Sequence, residues 1–140
     1  MDNTLSVCND ETCRQSTHVA ALNGHVECLR YAHDSLGASC EWHPKTTYRA
    51  AQSGHLECLR YAHENGCEWH PKTTSVAAER GYLDCLKYSH ENGCPWHDAT
   101  TYYAAYNGHL ECLRYAHDSP GVSCEWHPKT TSVAAERGYL

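Results

Sequence analysis

Gly54-His55-Leu56-Glu57-Cys58-Leu59-Arg60-Tyr61-Ala62-His63 returns unchanged at 108–117, and close variants occupy 24–33 and 81–90. Self-similarity at a fixed spacing is the mark of stacked structural units. The cysteines inside this segment, Cys28, Cys58, Cys85 and Cys112, lie 30, 27 and 27 residues apart, and a second series, Cys40, Cys67, Cys94 and Cys124, is spaced 27, 27 and 30. The variable three residues form an insertion before the second cysteine, since 33–40 and 117–124 stand where 63–67 and 90–94 are shorter. A surface loop absorbs such length changes cheaply.

Each unit reads as two helices. In 43–53, Pro44 suits a first helical position, where the missing N–H costs nothing, and Gly54 stops the segment. The longer segment that follows carries Leu56, Leu59 and Ala62, with Cys58 and Tyr61, three and four residues apart on one face, and Gly66 supplies a left-handed C-terminal cap. A helix pair this small cannot bury its own apolar stripe, so neighbouring pairs must stack. The fold class expected is therefore all-α: an α-solenoid of antiparallel helix pairs in one repeat domain over 1–140. Its units run over about 10–39, 40–66, 67–93, 94–123 and an incomplete 124–140.

Ala50-Ala51-Gln52-Ser53-Gly54-His55-Leu56-Glu57-Cys58-Leu59-Arg60-Tyr61 resembles the core of the ankyrin repeat, and the match recurs in register at Ala20-Ala21, Ala77-Ala78 and Ala104-Ala105. The Cys-(Glu/Pro)-Trp loop is similar to a divergent short-repeat ankyrin-like subgroup of giant viruses of amoebae and microbial eukaryotes. Two departures stand out. Units of 27 or 30 residues leave little or no room for the β-hairpin of ordinary ankyrin repeats, and Lys45-Thr46-Thr47-Tyr48 replaces the family's Thr-Pro-Leu-His helix start. Residues 124–140 repeat 67–83, which reads as a truncated copy or a fragment of a longer array whose last helix frays for want of a capping repeat.

The formal charge is −6, from 17 acidic against 11 basic residues, with no Lys/Arg-rich run, so neither nucleic acid nor an anionic membrane is an expected partner near pH 7. Twelve histidines would reverse that balance near pH 6. No apolar stretch approaches a membrane span, and the first residues lack the basic and apolar regions of a secretion signal, which points to the cytoplasm or a host-cell cytosol.

Cysteine and histidine admit two readings. Cys40, His43, His55 and Cys58, and again Cys94, His97, His109 and Cys112, have the residue types of a zinc site, making a structural zinc-binding or metal-responsive repeat the alternative function. Against it, Tyr82 replaces the helix histidine of the third unit, and Asp10 and Cys13 break the set of the first. The favoured reading makes the cysteines small buried hydrophobes with free thiols and no metal or other cofactor. Equivalent cysteines in stacked units lie about 10 Å apart, beyond disulfide reach. Trp42, Trp69, Trp96 and Trp126 are expected to form a stacked ladder along one edge, and His33, His63, His90 and His117 to meet the negative pole of the long helix.

Every candidate nucleophile or base is copied at each repeat and no phosphate loop or paired-carboxylate motif occurs, so the chain is not expected to be an enzyme. Positions that vary between units carry specificity instead. The ankyrin resemblance implies a protein-binding scaffold, a monomer holding another protein on the concave face of its short helices. Arg49, Gln52, Glu79, Arg80, Tyr103, Tyr106 and Asn107 are the partner-binding residues it selects, an aromatic and arginine set typical of interface hot spots.

Overall fold

The computed structural model describes residues 16–35, 42–119 and 129–138. These contain nine helices and no strand: α1 Thr17–Asn23, α2 Val26–Ser35, α3 Thr46–Ser53, α4 Leu56–Glu64, α5 Thr73–Arg80, α6 Leu83–Glu91, α7 Thr100–Tyr106, α8 Leu110–Asp118 and α9 Thr130–Glu136. They fall into two compact units, one ending at His70 and holding α1 to α4, the other beginning at Pro71 and holding α5 to α9. The first is called unit 1 and the second unit 2 below. Short and long helices alternate, and each short helix packs on the long helix after it. Within unit 1, α1 packs on α3 and α2 on α4; within unit 2, α7 packs on both α5 and α9, and α6 on α8. The architecture is all-α and helical-repeat, each unit a stack of helix pairs.

The Ala-Ala-x-x-Gly pattern builds the tight turn of each pair. Gly54 has φ +75°, and His55 N–H donates to the Ala50 carbonyl at 2.9 Å, closing the left-handed cap expected there. Gly24 makes the same turn at φ +76°, and a Cβ on it would lie 2.5 Å from the His55 ring of the next pair. Gly81 stands in the same relation to His109. Only glycine satisfies both the backbone and the approach of that imidazole. At the far end of α4, Cys67 N–H donates to the Ala62 carbonyl at 2.9 Å across Gly66, whose φ is +90°.

The short helix begins later than its sequence suggests. Thr46, not Pro44, is the first residue of α3, and Thr46 N–H donates to the His43 carbonyl at 2.9 Å. Lys45 sits at φ −96°, ψ 9°, so His43-Pro44-Lys45-Thr46 is a type I turn with proline at its favoured second position. The same turn recurs at 97–100 with Asp98 in place of proline, Thr100 N–H reaching the His97 carbonyl at 3.0 Å.

Threonines then tie one pair to the next. His43 N–H donates to Thr17 Oγ1 (3.1 Å), the hydroxyls of Thr17 and Thr46 are 2.8 Å apart, and Thr46 Oγ1 donates to the His43 carbonyl at 2.8 Å. In unit 2, His97, Thr74 and Thr100 repeat the arrangement, with His97 N–H donating to Thr74 Oγ1 at 2.9 Å. Thr101 and Thr130 meet likewise at 3.1 Å. The core beside them is small: Ala20, Ala21, Ala50, Ala51, Ala77, Ala78, Ala104 and Ala105 are fully buried, with Leu29, Leu59 and Leu86 behind them. Small residues there allow the helices to approach closely. The first position of the long helix is less committed, since Leu110 is 41% exposed.

Candidate partner-binding face

The seven residues selected from sequence divide between the units. In unit 1, Arg49 and Gln52 are half-buried on α3, where Arg49 Nη1 donates to Gln52 Oε1 at 2.9 Å and the guanidinium lies 5.7 Å from the Tyr48 ring centre. In unit 2, Glu79 is half-buried and Arg80 exposed at the end of α5. Tyr103 is half-buried on α7, Tyr106 is exposed, and Asn107 caps the helix by donating Nδ2–H to the Tyr103 carbonyl at 3.0 Å.

Tyr103 and Tyr106 belong to a cluster of three rings. Tyr102 meets Tyr103 edge-on at 5.4 Å and lies 5.9 Å from Tyr106. Arg137, just past α9, places its guanidinium 3.9 Å over the Tyr106 ring. Such a contact holds the ring in place and leaves its hydroxyl at the surface. The seven residues selected from sequence include neither Arg137 nor Tyr102. The signal for Tyr102 was the run Tyr102-Tyr103, three and four residues from Tyr106.

Position 103 is also partly a core position. Its counterparts Val76 and Val133 are 2% and 8% exposed, because that column of the short helix turns under the neighbouring helix. They pack rather than face a partner.

The described tryptophans stack on histidines. Each lies on the histidine that ends the preceding long helix: Trp42 on His33 at 4.3 Å, Trp69 on His63 at 4.6 Å and Trp96 on His90 at 4.6 Å. A tyrosine of the next long helix closes the group, Tyr61 at 6.2 Å from Trp42 and Tyr115 at 6.1 Å from Trp96. His33 and His90 use their rings for stacking; at the end of α6 Asn92 donates to the Tyr88 carbonyl at 2.8 Å, as Asn65 does to the Tyr61 carbonyl at the end of α4. Trp42 Nε1–H donates to the Asn65 carbonyl at 2.9 Å, whereas Trp96 Nε1 is buried with no partner. The three-residue insertion explains the difference. Ser119 stands in the place of Asn65 but is extended, at φ −66° and ψ 120° against −107° and 24°, so its carbonyl turns away. Trp126 lies outside the described residues.

The thiols are shielded. Cys28, Cys58, Cys67, Cys85, Cys94 and Cys112 are buried and in no disulfide. Burial pushes Cys58, Cys85 and Cys94 up to about 12, and Cys67 and Cys112 up to about 11. Among the described residues no three His, Cys, Asp or Glu side chains gather to hold a metal ion. Cys94, His97, His109 and Cys112 have separate places: Cys94 and Cys112 are in the core, His97 holds a turn and His109 packs on Gly81. In the other set, Cys58 is in the core, His55 packs on Gly24 and His43 holds a turn, while Cys40 lies outside the described residues.

Helix pairs repeated with one turn geometry and one core define an all-α helical-repeat protein with a conventional packing interior and a variable short-helix face. Residues 75–117 match the family model for ankyrin repeats (many copies), and this part of the chain is ankyrin-repeat-like. Ankyrin repeats are in general protein-binding scaffolds and typically non-enzymatic. No curated protein matches the chain. Among the described residues no helix is long and apolar enough to cross a membrane.

Proposed function

We propose that the chain is a protein-binding repeat scaffold and not an enzyme, a cytoplasmic monomer acting as one repeat array that holds another protein on its short-helix face. The observation that carries this reading is α7. It presents Tyr102, Tyr103 and Tyr106 around the fully buried pair Ala104 and Ala105, with Arg137 seated on Tyr106. Rigid aromatic rings and arginine lose little entropy on binding and dominate interface energetics. Glu79, Arg80 and Asn107 supply polar specificity on the short helices of unit 2, and Arg49 and Gln52 on the short helix α3 of unit 1.

A photo-crosslinking residue placed at 106 should capture a protein that one placed at 110, exposed on the long helix, does not. Equal capture from both positions would remove the short-helix face from the proposal.

A further inference from the structure

The ends of α6 and α8 in unit 2 border a cleft of about 350 Å³, lined by His90, Glu91, Tyr115, Asp118 and Ser119 and mainly apolar inside. Glu91 and Asp118 are the last residues of their helices, and both are exposed at its rim. The two helices therefore bring their negative poles and a carboxylate each to one place. Among the described residues no lysine or arginine lines this cleft. The cations Lys87 and Arg114 line the neighbouring one, where the Lys87 ammonium lies 5.6 Å from the Tyr115 ring centre and Arg114 pairs with Glu111 at 3.7 Å.

The corresponding place between α2 and α4 in unit 1 is held by its own side chains. There the Tyr61 hydroxyl donates to Asp34 Oδ1 at 3.1 Å, and Trp42 Nε1–H reaches the Asn65 carbonyl. In unit 2 both arrangements change. Glu91 stands where unit 1 has Asp34, and the Tyr115 hydroxyl meets His90 Nδ1 at 2.9 Å, which leaves the Glu91 carboxylate without the hydroxyl that Asp34 receives. Trp96, whose indole packs on His90 and Tyr115, keeps a buried N–H with no acceptor. Unit 2 thus leaves a carboxylate and an indole donor unmatched where unit 1 satisfies both.

We propose that this cleft is a second docking point, at the ends of the long helices, which takes an arginine side chain of a partner protein: the guanidinium lies against the His90 and Tyr115 rings and pairs with Glu91 and Asp118. A guanidinium is planar and weakly hydrated, stacks on aromatic faces and bonds carboxylates through two parallel N–H groups, which matches apolar walls under an acidic rim. The protein uses the same contact within itself, with Arg30 5.3 Å from the Tyr61 ring centre and Arg137 over Tyr106. The net charge of −6 favours the approach of a basic segment. This site stands apart from the short-helix face and holds whether or not that face binds.

The test is an NMR titration of the full chain with the blocked peptide acetyl-Gly-Arg-Gly-amide, and with the same peptide carrying citrulline, which keeps the shape of the side chain without its charge. The arginine peptide should shift the amide signals of Glu91, Asp118 and Ser119 and the Trp96 indole N–H, and the citrulline peptide should bind at least about fivefold more weakly. Glu91→Gln and Asp118→Asn should each weaken the arginine peptide about two- to fivefold, with an unchanged melting midpoint, because both side chains are exposed. Glu57→Gln, which removes an exposed carboxylate from α4 in unit 1, should leave binding as it is. Equal binding of the two peptides, no binding at concentrations on the order of millimolar, shifts confined to other residues, or the same affinity in Glu91→Gln, Asp118→Asn and Glu57→Gln would overturn the proposal.

Discussion

The hydroxyls of Thr17 and Thr46 lie 2.8 Å apart inside unit 1 and close a ring of hydrogen bonds through His43. Thr46 spends its proton on the His43 carbonyl, so Thr17 must donate to Thr46 while accepting from the His43 N–H. Every polar group in the ring is satisfied, and such chains strengthen one another in a low-dielectric interior. The ring explains why threonine pairs begin the short helices of this chain.

Removing one hydroxyl should be expensive. Thr17→Val keeps the shape but leaves the His43 N–H and the Thr46 oxygen short of a partner, and should cost about 1 to 3 kcal/mol, read from denaturant unfolding. Thr17→Ser should recover most of the loss. Indifference to Thr17→Val would show that the ring does not hold.

Two glycines with the same backbone sign should differ in their tolerance of alanine. Gly66→Ala meets open space and bears only the cost of φ +90°, about 1 to 2 kcal/mol, whereas Gly24→Ala also drives a methyl into His55. Gly24→Ala should be the worse of the two in a melting experiment, and adding His55→Ala should restore part of the difference.

Buried thiols set the alkaline limit of the fold. A thiol raised from 9.0 to about 12 on folding contributes stability that is full below about pH 9 and is lost as the pH rises, because the unfolded chain releases its proton first. The denaturant midpoint should start to fall near pH 9, one unit before the tyrosines of an unfolded chain ionise at 10.0. Cys58→Val should flatten that first fall. Fast labelling of Cys58 and Cys85 in the native protein at neutral pH would contradict their burial.

The indole nitrogens give a paired contrast. Trp42→Phe forfeits a hydrogen bond to Asn65 and should cost about 1 kcal/mol more than Trp96→Phe, which removes a buried donor that has no partner. Thermal melts of the two variants decide this; equal costs would mean that Trp96 finds an acceptor in solution.

The helices, their glycine stops and the burial of the cysteines were legible in sequence because each follows from local chemistry repeated in register. Gly54 and Gly66 needed no tertiary information, and Leu59 and Cys58 announced themselves by spacing. The His33–Trp42 and His63–Trp69 stacks were not legible, since a histidine at a helix end and a tryptophan six or nine residues later share no periodicity. Pro44 was read as a helix start because a first helical position and the second position of a type I turn make the same demand on φ; only the Thr46 to His43 bond separates them. On the short helix, sequence found Tyr103 and Tyr106 by their variation but not the burial of Val76 in the same column, because variation says nothing about which neighbour covers a side chain.

The central claim concerns Tyr106, 40% exposed and gripped on one face by Arg137. The direct measurement is a paired one, the affinity for a captured partner and the thermal midpoint, on Tyr106→Ala and Tyr103→Ala with Ala105→Leu as the packing control. A scaffold using this face should lose more than about 1 kcal/mol of binding in each tyrosine variant, with the midpoint of Tyr106→Ala nearly unchanged and that of Tyr103→Ala lowered modestly. Ala105→Leu, overfilling a fully buried site, should unfold the stack instead. If Tyr106→Ala melts as low as Ala105→Leu, or binds its partner as tightly as the unaltered chain, the short-helix face is not where this protein meets its partner.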